Sequence, residues 1–294
     1  MSVLPSEATA ESRSLYEMGR RLASACPAEL GEEIAVTGPV SRGVADRFSE
    51  LQLNFWVEQL LPVEAYQAWL QSAGAGVELG GIRVSDGSVW IKSRFEGVSV
   101  EAEWQTWEML ESRLRSILAA QVLDHGPLTM AWTVSHALPV RGGSRVEAWR
   151  RALADYPEAL QWQLIEETLT LWATPSWWPL SLISLWPLAH RAAYLELSGR
   201  INRELENTLR LLFAYNRQWE PEWEWVAPES KRLQHKPAQL VERINSIAMM
   251  EDGVQSLQDC FQLIQDVLNL ISDSYDVSVQ LQRVEEAIAF GTGS

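Results

Sequence analysis

Apolar positions recur with two different periods along this chain, and the switch between them divides it. Leu15, Met18, Leu22 and Ala23 fall on one side of a helix over about residues 12–24. Pro27 and Gly31 interrupt the pattern, and residues 33–37, around Ile34-Ala35-Val36, read as a strand. Leu51-Gln52-Leu53-Asn54 alternates apolar with polar, as a half-buried strand does, and the run continues to Val57. Pro62 opens a helix reaching about Ser72, and residues 74–81 are turn-rich. Strands over 82–84 and 88–93 flank Asp86-Gly87, a hairpin signal, and 98–104 alternates again before a helix over about 106–118. From Val146 the period is helical, over about 146–153, 159–171, 181–195, 199–218, 236–248, 253–270 and 277–287, and the tail 291–294 is expected to be mobile. The pattern predicts an α+β fold: a mixed sheet with flanking helices in residues 1–128, then an all-α helical bundle in 129–294.

With 47% apolar and 21% charged residues, the chain can bury a core. Its net charge of −15, with no Lys/Arg-rich run, argues against a free nucleic acid as partner. Cys26 and Cys260 are the only cysteines and make neither a zinc motif nor a disulfide framework. Residues 1–11 lack a basic stretch followed by an apolar one, so no signal peptide is expected and a cytoplasmic setting fits. One uncharged stretch between Glu167 and His190 approaches the length of a bilayer span, but Pro175, Pro179 and Pro187 would break a helix there; no membrane partner is expected.

Candidate chemistry concentrates between the first two strands. Gly38 follows the first, Arg42-Gly43 and Ala45-Asp46 come next, and Ser49-Glu50-Leu51-Gln52 leads into the second. Glycines let backbone approach a phosphate closely, and side chains two apart on a strand share a face, so Glu50 and Gln52 point the same way. The stretch Gly38–Leu53 resembles the nucleotidyltransferase signature: a Gly-Ser turn, Arg-Gly, Ala-Asp, then two carboxylates on a strand. Leu123-Asp124-His125-Gly126 and Leu212 to Pro221 are similar to segments of small bacterial members that join this domain to a helical bundle.

The resemblance implies a nucleotidyltransferase-like sheet, Mg2+, a nucleoside triphosphate (ATP among them) as co-substrate, and transfer of a nucleoside monophosphate to a hydroxyl of a small molecule or protein. In that frame Gly38, Ser41, Arg42 and Gly43 hold the triphosphate, and Glu50, Gln52 and Glu101 form the catalytic and metal positions, with Glu103 the second choice for the third. Two residues depart from it. Gln52 puts a neutral amide where the signature has a carboxylate, and Pro39 removes both a hydroxyl and an N–H. They motivate the alternative, a catalytically lapsed member of the fold that acts in binding or regulation. A homodimer is left open.

The four histidines, His125, His136, His190 and His235, are scattered without ligand spacing. The 15 tryptophans are read mainly as packing between helices, with Trp219, Trp223 and Trp225 offering an aromatic wall as the other reading.

Overall fold

The computed structural model describes residues 4–292. Contacts cluster into two units, residues 1–155 and residues 156–294. The first holds six strands, β1 (Glu33–Thr37), β2 (Leu51–Val57), β3 (Gly76–Ser85), β4 (Ser88–Phe95), β5 (Val98–Thr106) and β6 (Leu138–Arg141). Its helices are α1 (Ala10–Ala25), α2 (Gly38–Arg42), α3 (Val63–Ser72), α4 (Trp107–Leu118), α5 (His125–Ser135) and α6 (Ser144–Leu153).

The strands form one mixed sheet in the order β3-β4-β5-β2-β1-β6. Among the described residues only β2 and β5 run parallel, pairing Gln52 with Glu101 and Asn54 with Glu103. Strand alternation sorts the two faces. On one, Val36, Leu51, Leu53, Phe55, Val89, Ile91, Val100 and Trp104 pack with Leu15, Met18 and Leu22 of α1 and Tyr66 and Trp69 of α3. Trp104 anchors this layer: its ring stacks on Phe55 at 4.5 Å and its Nε1 donates to Leu30 O at 2.8 Å. The other face carries Gln52, Asn54, Lys92, Glu101, Glu103 and Gln105, the positions between those apolar ones.

The sheet extends past the 128/129 boundary expected from sequence. Strand β6 pairs antiparallel with β1, matching Val36 to Leu138. Glu33 of β1 then reaches the start of α6, where its Oε1 accepts from Arg145 N (2.9 Å) and its Oε2 from Val146 N (3.0 Å). A buried carboxylate thus caps a helix N-terminus from a neighbouring strand. Residues 74–81 also differ from expectation: β3 begins at Gly76 and absorbs the turn-rich stretch as a register shift between Val77 and Ile82.

The second unit is all helical: α7 (Glu158–Trp172), α8 (Trp186–His190), α9 (Tyr194–Tyr215), α10 (Val226–Ser230), α11 (Leu240–Met249), α12 (Gly253–Ile271) and α13 (Ser278–Thr292). The continuous helix expected over 181–195 is instead broken at Ala192, which has a positive φ, leaving α8 as a short piece that begins beside Pro187. The tryptophans there divide. Trp172 and Trp186 are buried, donating through Nε1 to Glu204 Oε2 (2.9 Å) and Ala287 O (2.7 Å), while Trp177 and Trp178 are exposed. Gly291, expected in a mobile tail, belongs to α13, where a Cβ would overlap the Trp186 ring; residues 293–294 lie outside the described residues. Among the described residues no helix is long and apolar enough to cross a membrane.

Candidate functional site

The turn comes first. Gly38 sits at the end of β1 with φ +62°, a left-handed conformation that suits glycine. Thr37, just before it, pairs with Gln52 across the antiparallel β1/β2 ladder, and this brings the Gln52 side chain over Gly38. A Cβ built on Gly38 would overlap Gln52 Oε1. The space a glycine leaves open for a ligand is therefore filled by this protein's own amide. Every residue from Gly38 to Arg42 is buried. Ser41 Oγ donates to Gly38 O at 2.9 Å, so its hydroxyl is spent within the turn.

The segment after α2 is held from outside. Gly43 O accepts from Thr9 N at 3.1 Å, Thr9 Oγ1 donates to Ala45 O at 2.7 Å, and Ala45 N donates to Ser12 Oγ at 2.9 Å. Pro5 and Ala8 lie against Gly43. The segment leading into α1 thus lies against Gly43, one of the four positions expected to hold phosphate.

The acidic positions converge. Gln52 Nε2 donates to Glu101 Oε2 at 3.3 Å. Lys92 on β4, directly opposite Glu101 in the β4/β5 ladder, places Nζ 2.7 Å from Glu50 Oε1 and 3.5 Å from Glu101 Oε1. Glu103 stands one pair further along, accepting from Asn54 Nδ2 (3.3 Å) and Gln105 Nε2 (2.8 Å), with Thr37 Oγ1 donating to Asn54 Oδ1 at 2.7 Å. Glu50, Gln52 and Glu101 are thus one cluster, and Glu103 belongs to the next.

The local electrostatics follow from this arrangement. Burial is the largest single influence on Glu50 and works against its ionisation, but the hydrogen bond from Lys92, those from Glu101 and Ser99, and the Lys92 charge together hold that carboxyl below its ordinary range. Burial, then the neighbouring Glu50, push Glu101 up. Burial also raises Glu103, against the hydrogen bonds from Gln105 and Asn54.

The chemistry of the donor set does not fit a divalent ion. Magnesium prefers charged oxygen ligands and near-octahedral geometry, whereas this cluster offers two carboxylates, a neutral amide already turned to Glu101, and an ammonium at the shared oxygens. Among the described residues no group of three or more His, Cys, Asp or Glu could hold a metal ion.

Beside Glu50 a cleft of about 360 Å3 is lined by Asp46, Arg47, Ser49, Arg94 and Ser99, among others. Asp46 is engaged locally, its Oδ1 accepting from Phe48 N (2.9 Å) and Ser49 Oγ (3.1 Å). The distant segment Leu212–Pro221 has a structural part in the second unit: Asn216 ends α9 and exchanges two 2.8 Å hydrogen bonds with the backbone of His235, and Arg217 Nε donates to Gln161 Oε1 at 3.0 Å.

Lys92 is the member of the cluster that sequence reasoning missed. The signal was the two-residue turn Glu96-Gly97, where both residues have positive φ, as a tight hairpin of this kind requires. Counting outward from Phe95 opposite Val98 puts Lys92 opposite Glu101.

No protein-family model matches this chain, and no curated protein does. A crystal structure of a nucleotidyltransferase-like protein from Exiguobacterium sibiricum is similar over 96% of this chain and 76% of its own, at 11% identity and a TM-score of 0.35. Nothing about the site is drawn from so distant a likeness.

Proposed function

We propose that this chain acts by binding or regulation rather than by transferring nucleotide, using a nucleotidyltransferase-like sheet whose phosphate turn is closed. The observation that carries this reading is the Gln52 amide packed over Gly38 in a turn buried from Gly38 to Arg42. Pro39 adds to it, since a proline offers a phosphate neither hydroxyl nor N–H. A triphosphate at Gly38 would have to displace Gln52, breaking its hydrogen bond to Glu101.

The second reading, a Mg2+-dependent transferase acting on a small molecule or a protein, is favoured by one observation: Glu50, Gln52 and Glu101 do converge beside the Gly38 turn, next to an open cleft. In that reading Glu50 and Glu101 hold the metal, Arg42 and Ser41 contact the triphosphate, and the acceptor enters from the cleft. Titrating the full chain with labelled ATP and GTP, with and without Mg2+, separates the two. The closed turn predicts no binding tighter than about 1 mM and no transfer of label to water or to added acceptors. Mg2+-dependent binding that disappears in Glu50→Ala would establish the transferase instead.

A further inference from the structure

Three side chains stand in one row across three adjacent strands. Lys92 on β4 faces Glu101 on β5, and Glu101 faces Gln52 on β2. Glu50, two residues before Gln52, completes the group. Its oxygens meet hydrogen-bond donors in a fixed division: Glu50 Oε1 and Glu101 Oε1 face Lys92 Nζ, and Glu101 Oε2 faces Gln52 Nε2. Two half-buried carboxylates this close repel unless one keeps its proton, as the raised Glu101 tends to, or something positive lies between them.

We infer that Lys92 is the internal cation of this centre. Its ammonium takes the place of the divalent ion that the sequence resemblance implies, and Gln52 supplies the second donor, so the cluster is complete without metal. Glu50 and Glu101 are then a latent site for a hard divalent cation, kept closed by Lys92.

Each of the two residues makes sense of the other. A carboxylate at position 52 could not donate to Glu101 and would add a third negative charge to a cluster whose single ammonium already faces two carboxylates. A metal at the shared oxygens would meet the Lys92 charge head-on, and one of the two would have to leave. Amide and lysine together give a cluster in which local charge and hydrogen bonding agree. The inference rests on the correspondence of Glu50, Gln52 and Glu101 to the positions of the nucleotidyltransferase signature, and it does not depend on whether the chain binds nucleotide.

The test is Mn2+ binding to the full chain by electron paramagnetic resonance, with no nucleotide present. The unaltered chain and Lys92→Arg, which keeps the charge, should take up no Mn2+ at this centre. Lys92→Met should gain a site, and Lys92→Met with Gln52→Glu should bind at least about tenfold more tightly than Lys92→Met alone. Loss of that gain in a further Glu101→Gln change would place the ion at these oxygens.

Mn2+ uptake by the unaltered chain that Glu50→Gln abolishes would overturn the inference, as would folded Lys92→Met/Gln52→Glu protein with no gain. Should the methionine variants not fold, nitrogen-15 resonances of the lysine ammonium groups in the unaltered chain decide the matter. A Lys92 signal protected from water exchange and unbroadened by Mn2+ supports an internal cation, and one that Mn2+ broadens selectively refutes it. Metal-independent binding of ATP would defeat the closed turn and leave Lys92 as inferred; Mn2+ uptake by the unaltered chain without nucleotide binding would do the reverse.

Discussion

Lys92 and Gln52 decide how the cluster works, and the sequence displayed them unequally. Gln52 stood out because the residues before it fit a signature and it does not. Lys92 fits no motif; its part follows from facing Glu101 across a hairpin, a relation between strands rather than along one. Nor could the chain order alone reveal that the Gln52 amide lies over Gly38, since that depends on the β1/β2 register. Glu103 shows how the same face responds to pH. Its folded pKa is raised by burial, so its contribution to stability is complete below the unfolded value, about pH 4.3, and is lost as pH rises through the folded one. Glu101 acts in the same direction, and Glu50, whose pKa is lowered, in the opposite one. Replacing Glu103→Gln should therefore flatten the decline of the unfolding temperature between about pH 4.3 and neutrality, as calorimetry across that range would register. An unchanged slope would mean that Glu103 titrates normally.

At the level of elements, strand periods located β2, β4 and β5 well because each has one apolar and one polar face. Strand β6 escaped notice because Leu138-Pro139-Val140-Arg141 is short, contains proline and lies at a sheet edge, where proline is tolerated. Helix α5 was hidden by Gly126 and Pro127 in its first turn, residues that read as a break from sequence but are harmless at a helix start. What joins this late segment to the sheet is Glu33, whose carboxylate collects Arg145 N, Val146 N and the Ser144 hydroxyl. Changing Glu33→Ala would leave those donors without their acceptor at a buried helix end. Chemical denaturation should then show a loss of about 1–3 kcal/mol, with Glu33→Gln retaining part of it.

For the whole molecule, the change from mixed to helical period was legible, but the place where the chain passes from one unit to the next was not. The helical period begins at Val146, in α6, yet contacts assign residues up to Asp155 to the first unit. A fragment of residues 1–155 should consequently give a dispersed amide spectrum and a cooperative melt, and a fragment of residues 1–128 should give neither. Equal behaviour of the two would show that β6 and α6 are accessories. Strand β1 is buried along its whole length and has β2 on one side and β6 on the other. During synthesis on the ribosome, β2 to β5 emerge well before residues 138–141, and until then β1 presents an open apolar edge. The nascent chain therefore passes through a stage at which a strand buried along its whole length in the folded protein is paired on one side only, and a translational pause between α4 and β6 would be where this protein is most exposed to misassembly and most in need of a chaperone.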